Sequence, residues 1–276
     1  MRLIVCGDVE SNPGPGSDNR VWVLYYNIRG LHANLDELAV AGSDYYVSVY
    51  AESTVSERCR LSELRIPGFG CPQLRLRNST PGALGKGLYV RERFRSFRQS
   101  KLGYFCNEPC VFRICSRINN FYVYAFYCQP GHDCSLYDCL LDSMARVQSV
   151  DDKAVFVFVS DANAHHSEWL ESVTPTDRHG RDVLDFCNLS CCKQLVRCPT
   201  HIAGNRLDLV MTDVPDIVDV FVGTPLGTSE HCFARSVLRV EQSVPEYNVR
   251  STVFLKHCTN GTMSAVQSGA LLEEQF

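Results

Sequence analysis

Short runs rich in β-branched and aromatic residues, separated by turn formers, recur along the chain at Val21–Tyr25, Tyr45–Tyr50, Gly87–Val90, Val111–Cys115, Phe121–Tyr127, Ala154–Val159, Leu207–Thr212 and Cys232–Val240. Each predicts a β-strand. Segments with helical spacing of apolar residues lie between some of them, at Leu31–Ala41, Ser135–Val150 and His179–Cys187, the last followed by Asn188 as a C-cap. Too many of the strands lack an intervening helix for a purely parallel doubly wound sheet. The pattern therefore predicts an α/β fold in which two mixed β-sheets pack face to face with helices outside, a four-layer α/β sandwich.

The chain has 276 residues, 45% of them hydrophobic, so it can bury a substantial core, and no shift in composition divides it. Residues 1–19 show no periodic apolar pattern, and Asn12-Pro13-Gly14-Pro15-Gly16 would break either a helix or a strand. The expected organisation is a leader at 1–19, one domain at 20–245 and a tail at 246–276. A net charge of −4 excludes a protein that binds nucleic acid through overall basicity, so any DNA contact must come from local patches. Arg91, Arg93, Arg95, Arg98 and Lys101, with Phe94 and Phe97 interleaved, form the one dense basic segment, which reads either as a phosphate contact or as a solvated face. The 15 cysteines read as reduced thiols, because disulfide scaffolds are usually short chains that lack such a core, and paired Cys-x-x-Cys spacing for zinc is absent. The longest later apolar run, Ala154–Val159, is far short of a membrane span, and the N-terminal stretch ending at Cys6 is too short for a signal-peptide core. A soluble, intracellular protein with no membrane partner is expected.

The residues that carry chemistry sit just past strand ends, where α/β folds place ligands because the chain leaves the sheet there. Val21–Tyr26 runs into Asn27-Ile28-Arg29-Gly30, Tyr45–Tyr50 into Ala51-Glu52-Ser53-Thr54, and Ala154–Ser160 into Asp161-Ala162-Asn163-Ala164-His165-His166. Asp208 lies inside the apolar run Leu207–Val210, and Gly227-Thr228-Ser229-Glu230-His231 precedes the last strand. Singly, each has an ordinary reading as a turn residue, a solvated strand end or a partly buried histidine. Asp208 resists that reading, since an acid flanked by Leu207, Leu209 and Val210 faces either a polar site or a costly burial.

In this order the strand ends resemble the endonuclease/exonuclease/phosphatase superfamily over roughly residues 20–240. Asp161–Trp169 (DANAHHSEW), Pro199–Val210 (PTHIAGNRLDLV) and Gly227–Cys232 (GTSEHC) resemble in particular the apurinic-type endonuclease domain of non-LTR retrotransposon proteins. The resemblance implies a Mg²⁺- or Mn²⁺-dependent phosphodiesterase that nicks DNA to give a 3′-hydroxyl primer, acts in the nucleus, and partners a reverse transcriptase domain of the same element. It implies Glu52, Asn27 and Glu230 as metal ligands, Asp161 as the group that orients or deprotonates the attacking water, and Asn163 as the holder of that water or of the phosphate. It further implies that His231 donates to charge developing at phosphorus, with Asp208 fixing its tautomer, and that Tyr127 stands beside the phosphate. Thr200 matches a position that contacts the DNA backbone; Arg91, Arg93 and Arg95, from the basic segment above, are separate candidates for DNA contact. The family's last motif is usually Ser-Asp-His; Ser229-Glu230-His231 keeps a carboxylate but displaces it by one methylene, so Glu230 is expected to reach the metal or His231 imperfectly. Other phosphoesterases of the same fold, and a decayed, inactive domain acting as a binding module, remain the alternatives.

A separate resemblance lies in the leader. Asp8-Val9-Glu10-Ser11-Asn12-Pro13-Gly14-Pro15 is similar to a 2A ribosome-skipping peptide, D-V/I-E-x-N-P-G-P, in which the bond between Gly14 and Pro15 would not be made during translation.

Overall fold

The computed structural model describes residues 20–55, 59–75, 85–92, 96–98, 110–115, 119–128, 135–168 and 175–239. Gly14, Pro15, Arg93 and Arg95 lie outside these residues.

Among the described residues, twelve strands form two six-stranded sheets of matching design. In the first, β1 (Arg20–Asn27) pairs in parallel with β2 (Val47–Ala51); β12 (Cys232–Arg239) and then β11 (Val218–Pro225) add antiparallel on one side, and β4 (Lys86–Val90) and β3 (Gln73–Arg75) on the other. In the second, β7 (Asn120–Tyr127) pairs in parallel with β8 (Ala154–Asp161), flanked by antiparallel β6 (Cys110–Cys115) and β5 (Ser96–Arg98), and by β10 (Asp208–Thr212) and β9 (Lys193–Gln194). Each central parallel pair is joined by a helix, as a parallel connection requires: α1 (Leu35–Gly42) links β1 to β2, and α2 (Ser135–Gln148) links β7 to β8.

The central strands read as continuous apolar runs because both of their faces are covered. On β1, Val21, Val23 and Tyr25 face the second sheet while Leu24 and Tyr26 face the α1 side; on β8, Val155, Val157 and Val159 face the first sheet while Phe156 and Phe158 pack under α2 and α3 (Arg178–Ser190). The result is four layers, helix, sheet, sheet and helix, as the strand pattern predicts. Asp177 caps α3 by accepting the Gly180 N–H at 2.6 Å. Helix α3 lies so close to the residues after β8 that a Cβ on Gly180 would fall 1.9 Å from the His165 carbonyl oxygen. The helix continues past Asn188, the expected cap, to Ser190, and Cys191 takes the left-handed conformation with φ 57°.

No described helix is long and apolar enough to cross a membrane. No described cysteine with a placed side chain forms a disulfide.

Candidate active site

Because side chains alternate along a strand, the inward rows of the two sheets can be followed to their ends. The row Val21, Val23, Tyr25 ends in Asn27, the row Val155, Val157, Val159 ends in Asp161, and Val210 on the antiparallel β10 is followed in its row by Asp208. All three polar residues are almost fully buried. They close one end of the inter-sheet core at the carboxyl ends of both parallel pairs, which is where the chain leaves the sheets.

There they form a hydrogen-bonded chain. Asn27 Nδ2 donates to Asp161 Oδ2 at 2.8 Å and stands 3.5 Å from His231 Nε2. Asp161 and Asp208 are partners across β8 and β10. His231 Nδ1 lies 2.8 Å from Asp208 Oδ2, which places the proton on Nδ1 and leaves Nε2 facing Asp161 Oδ2 at 3.8 Å. The nearest ligand-type atoms of Asp161, Asp208 and His231 lie within 4.8 Å of one another. The second Asp208 oxygen, Oδ1, is buried and makes no hydrogen bond of ordinary geometry among the described residues, although the Thr200 side chain acts on this carboxylate.

The loops around this chain are fastened to each other. Ser229 Oγ donates to the Asn27 carbonyl at 2.7 Å and accepts from the His231 N–H at 3.1 Å, which ties the last motif to the first. Asn34, buried and not singled out by the sequence, donates to the Ile28 and Gly30 carbonyls at 3.0 Å each. Gly30 N–H and Leu31 N–H bond to the carbonyls of Glu52 and Ser53, both at 2.8 Å. Four of the five described non-glycine residues with left-handed backbone, Arg29, Glu52, Thr54 and Asn163, belong to these loops. Such conformations cost about 1 kcal/mol or more each and persist where surrounding structure holds them, commonly at functional sites. Asn163 is fixed by its Nδ2 donating to the Cys128 carbonyl at 2.9 Å and by its N–H bonding to Asp161 Oδ1 at 3.2 Å. The Glu52 carboxylate has no hydrogen bond or ion pair among the described residues, yet its charge acts on both Asp161 and His231. Tyr127 ends the inward row of β7, buried and in register with Asp161.

Burial first, and then the neighbouring Asp208 charge, hold the Asp161 carboxyl well above the ordinary carboxylate range, against the opposing pull of His231 and the Asn27 hydrogen bond. Asp208 is raised by burial too, partly offset by His231. For His231 burial works downward, but the hydrogen bond and charge of Asp208, with Asp161 and Glu52 behind it, more than reverse this and raise the imidazole above its usual value. Tyr25, one step below Asn27 in the same row, carries a phenol raised by burial and then by Asp208 and Asp161; its hydroxyl lies near the Asp161 backbone but makes no hydrogen bond of ordinary geometry. In the sequence Tyr25 reads only as the end of the strand run Val21–Tyr25.

Two expectations are corrected, and a third residue, Arg91, is placed away from the cluster. Glu230 does not join the carboxylate cluster: Ser229 and His231 on either side of it are buried, and its own side chain turns outward, 46% exposed, to pair with Arg29. Thr200 is fully buried and cannot touch a DNA backbone; its Oγ1 accepts the N–H groups of Leu207 at 3.0 Å and Asp208 at 2.9 Å, which aligns the strand that carries Asp208. Arg91 lies at the far end of the first sheet, beside the start of β2, where its Nε donates to the Tyr45 carbonyl at 3.0 Å and its guanidinium covers the Phe69 ring. Thr200→Val keeps the shape but removes the acceptor for two buried N–H groups, so the variant should lose about 2 kcal/mol of stability in urea unfolding. A loss below about 0.5 kcal/mol would mean that the two N–H groups find other partners.

Comparison with solved structures places this architecture. The endonuclease domain of TRAS1, a telomere-specific non-LTR retrotransposon, superposes with a TM-score of 0.63 over 81% of this chain and 100% of its own, at 18% identity. The AP endonuclease LMAP of Leishmania major gives 0.67 over 80% of this chain and 88% of its own, at 13% identity. The fold is that of the endonuclease/exonuclease/phosphatase superfamily. The catalytic domain of Xenopus laevis APE2 gives a TM-score of 0.60 over 81% of this chain and 94% of its own, at 13% identity. Residues 121–235 match the family model described as Endonuclease-reverse transcriptase, a span that includes Tyr127, Asp161, Asn163, Asp208 and His231 and stops short of Asn27 and Glu52. No curated protein matches the chain.

Proposed function

We propose that the chain is a divalent-metal phosphodiesterase that nicks duplex DNA and leaves a 3′-hydroxyl, in the nucleus and alongside a reverse transcriptase domain of the same element. One observation carries this reading: the buried chain Asn27–Asp161 and His231–Asp208 presents a base and an acid side by side at the end of the inter-sheet core. The raised Asp161 carboxyl suits a group that takes a proton from water, and the raised His231 suits one that keeps its Nε2 proton to higher pH than a free imidazole and donates it to a phosphate oxygen. Asp208 holds the imidazole in that orientation. Asn163, locked by two hydrogen bonds beside Asp161, would position the water or the phosphate.

The charge balance supports a cation. Asp208 and Glu52 both act on the buried Asp161 carboxyl, and all three carboxylates act on the His231 imidazole, so negative charge gathers at this end of the core. Oxygen donors of this kind suit Mg²⁺ or Mn²⁺. Glu52, with no protein partner among the described residues, would hold the ion with the Asn27 amide oxygen, which among the described residues is approached only by the Arg29 N–H, at 3.3 Å. When bound, such an ion polarises the phosphodiester and stabilises the leaving oxygen.

The TRAS1 domain and the family description, in which an endonuclease is coupled to a reverse transcriptase, support a DNA substrate and a retrotransposition setting. A supercoiled-plasmid assay with Mg²⁺ and with EDTA tests the activity. Nicked circles with Mg²⁺ alone, extendable by a DNA polymerase, are expected, and Glu52→Ala should lower their rate by about 100-fold or more with an unchanged thermal transition. Nicking by Glu52→Ala at the parent rate would remove Glu52 from the mechanism, and absence of nicking by the parent would favour a binding module.

A further inference from the structure

We propose that Arg29 and His201 form a subsite for a DNA phosphate next to the scissile one, and that Glu230 fills this subsite when DNA is absent. The proposal rests on the DNA-nicking reading above and adds to it where the neighbouring nucleotide is gripped.

The geometry converges on a single oxygen. Arg29 donates from its guanidinium to Glu230 Oε2, and His201 Nε2 stands 4.0 Å from the same Oε2. His201 Nδ1 accepts the Ala203 N–H at 3.1 Å, so the ring proton sits on Nε2, the nitrogen that stands near the oxygen to which Arg29 donates. The arrangement lies directly over the reacting groups. The His201 ring meets the His231 ring edge to face, with centroids 4.9 Å apart, and the two residues form an antiparallel bridge. Arg29 follows Asn27 by two residues, in a left-handed conformation with φ 46° that is held by the loop fastened to residues 51–53. The donors are built in and the carboxylate is replaceable: the Arg29 and Glu230 side chains are 47% and 46% exposed, and ion pairs this open to solvent contribute little, whereas a guanidinium binds a phosphate through two parallel N–H groups. An arginine and a neutral histidine donor around one carboxylate oxygen, at the mouth of a phosphodiesterase site, form a mould for a phosphate oxygen. This accounts for glutamate at position 230, whose longer side chain spans to Arg29 instead of entering the cluster below.

The test measures binding, so it does not depend on turnover. The full chain is titrated onto a short fluorescent DNA duplex with Ca²⁺ at several salt concentrations, for the parent, Arg29→Gln, Glu230→Gln, His201→Ala and the Arg29→Gln/Glu230→Gln double variant. Loss of one phosphate contact lowers the slope of log affinity against log salt by about 0.9. Arg29→Gln should show that decrease with about tenfold weaker binding at low salt, and His201→Ala should weaken binding with the slope kept. Glu230→Gln should tighten binding several-fold, and the double variant should match Arg29→Gln alone. Opposite signs at two adjacent surface residues cannot arise from misfolding. An unchanged slope in Arg29→Gln, weaker binding in Glu230→Gln, or no binding by the parent would overturn the subsite. Failure of plasmid nicking with these slopes intact would overturn the catalytic reading and leave the subsite standing.

Discussion

Asp161→Asn should reduce metal-dependent nicking by about 10³-fold while leaving the metal-free protein at least as stable as the parent at neutral pH. The two effects have one cause. The Asp161 carboxyl is buried beside Asp208, and its folded-state pKa is therefore raised well above the ordinary value of about 4. A group whose folded pKa is raised holds its proton longer in the native state than in the unfolded chain. Native stability therefore falls as pH climbs from the unfolded value through the raised folded one. Above that window the parent carries an ionised, desolvated carboxylate, which the neutral amide avoids. An amide at 161 still offers an oxygen to one of the two donors, Asn27 Nδ2 and Asn163 N–H. It has no basic site with which to take a proton from water. Single-turnover nicking and thermal melting in EDTA at pH 5 and pH 8 would measure both sides. A rate within tenfold of the parent's would rule Asp161 out as the base. A melting temperature well below the parent's at pH 8 would mean that the carboxylate's hydrogen bonds outweigh its desolvation.

The part of the fold legible in the sequence is its covered part. Strands β1, β2, β4, β6, β7, β8, β10 and β12 coincide with apolar runs because each has a neighbour on both sides, and the central ones are packed on both faces. The strands that no run announced, β3, β5, β9 and β11, are the four sheet edges. An edge strand is paired on one side only, so it need not be long or uniformly apolar. Strand β9 has two residues, and β11 is mostly half-buried with Phe221 exposed, so the local sequence carries little trace of either. The end of α3 is similar: Asn188 is a better C-cap by type than Cys191, but the helix stays wound and Cys191 takes the left-handed position.

At the site, residue type and strand-end position located Asn27, Asp161 and Asp208, because a polar residue that ends an inward apolar row has nowhere to point except the mouth of the sandwich. Direction is what sequence could not supply. Glu230 is one residue from both Ser229 and His231, and only the backbone decides that these two turn in and the glutamate turns out to Arg29. Thr200 has the right type for a phosphate contact, yet its hydroxyl is spent on the backbone of Leu207 and Asp208. Asn34 and Tyr25 gave no signal at all, since their importance comes from loops and carboxylates distant in sequence that meet them in space.

Asp208→Asn should lower the nicking rate by about 100-fold or more and move the basic limb of the pH–rate profile to lower pH. In the parent, burial pushes His231 down, and the Asp208 hydrogen bond and charge raise it again, with Asp161 and Glu52 adding to the effect. A histidine raised in this way stays protonated to higher pH, and activity that needs the Nε2 proton falls as pH rises through the raised value. Asparagine at 208 removes the charge and weakens the bond to Nδ1, while the desolvation of the imidazole remains. The folded-state pKa of His231 therefore drops, and the active fraction is lost at a lower pH. The stability effect has the same sign. The part of stability that His231 gains from Asp208 is present below the unfolded histidine pKa and lost as pH rises through the folded one, so Asp208→Asn should cost most at acid pH. The measurement is single-turnover nicking across pH 5 to 9 for the parent and Asp208→Asn, with urea unfolding at both extremes. Loss of rate with an unmoved basic limb would show that Asp208 fixes the position of His231 without setting its charge. A limb that moves to higher pH would contradict the coupling between the two residues.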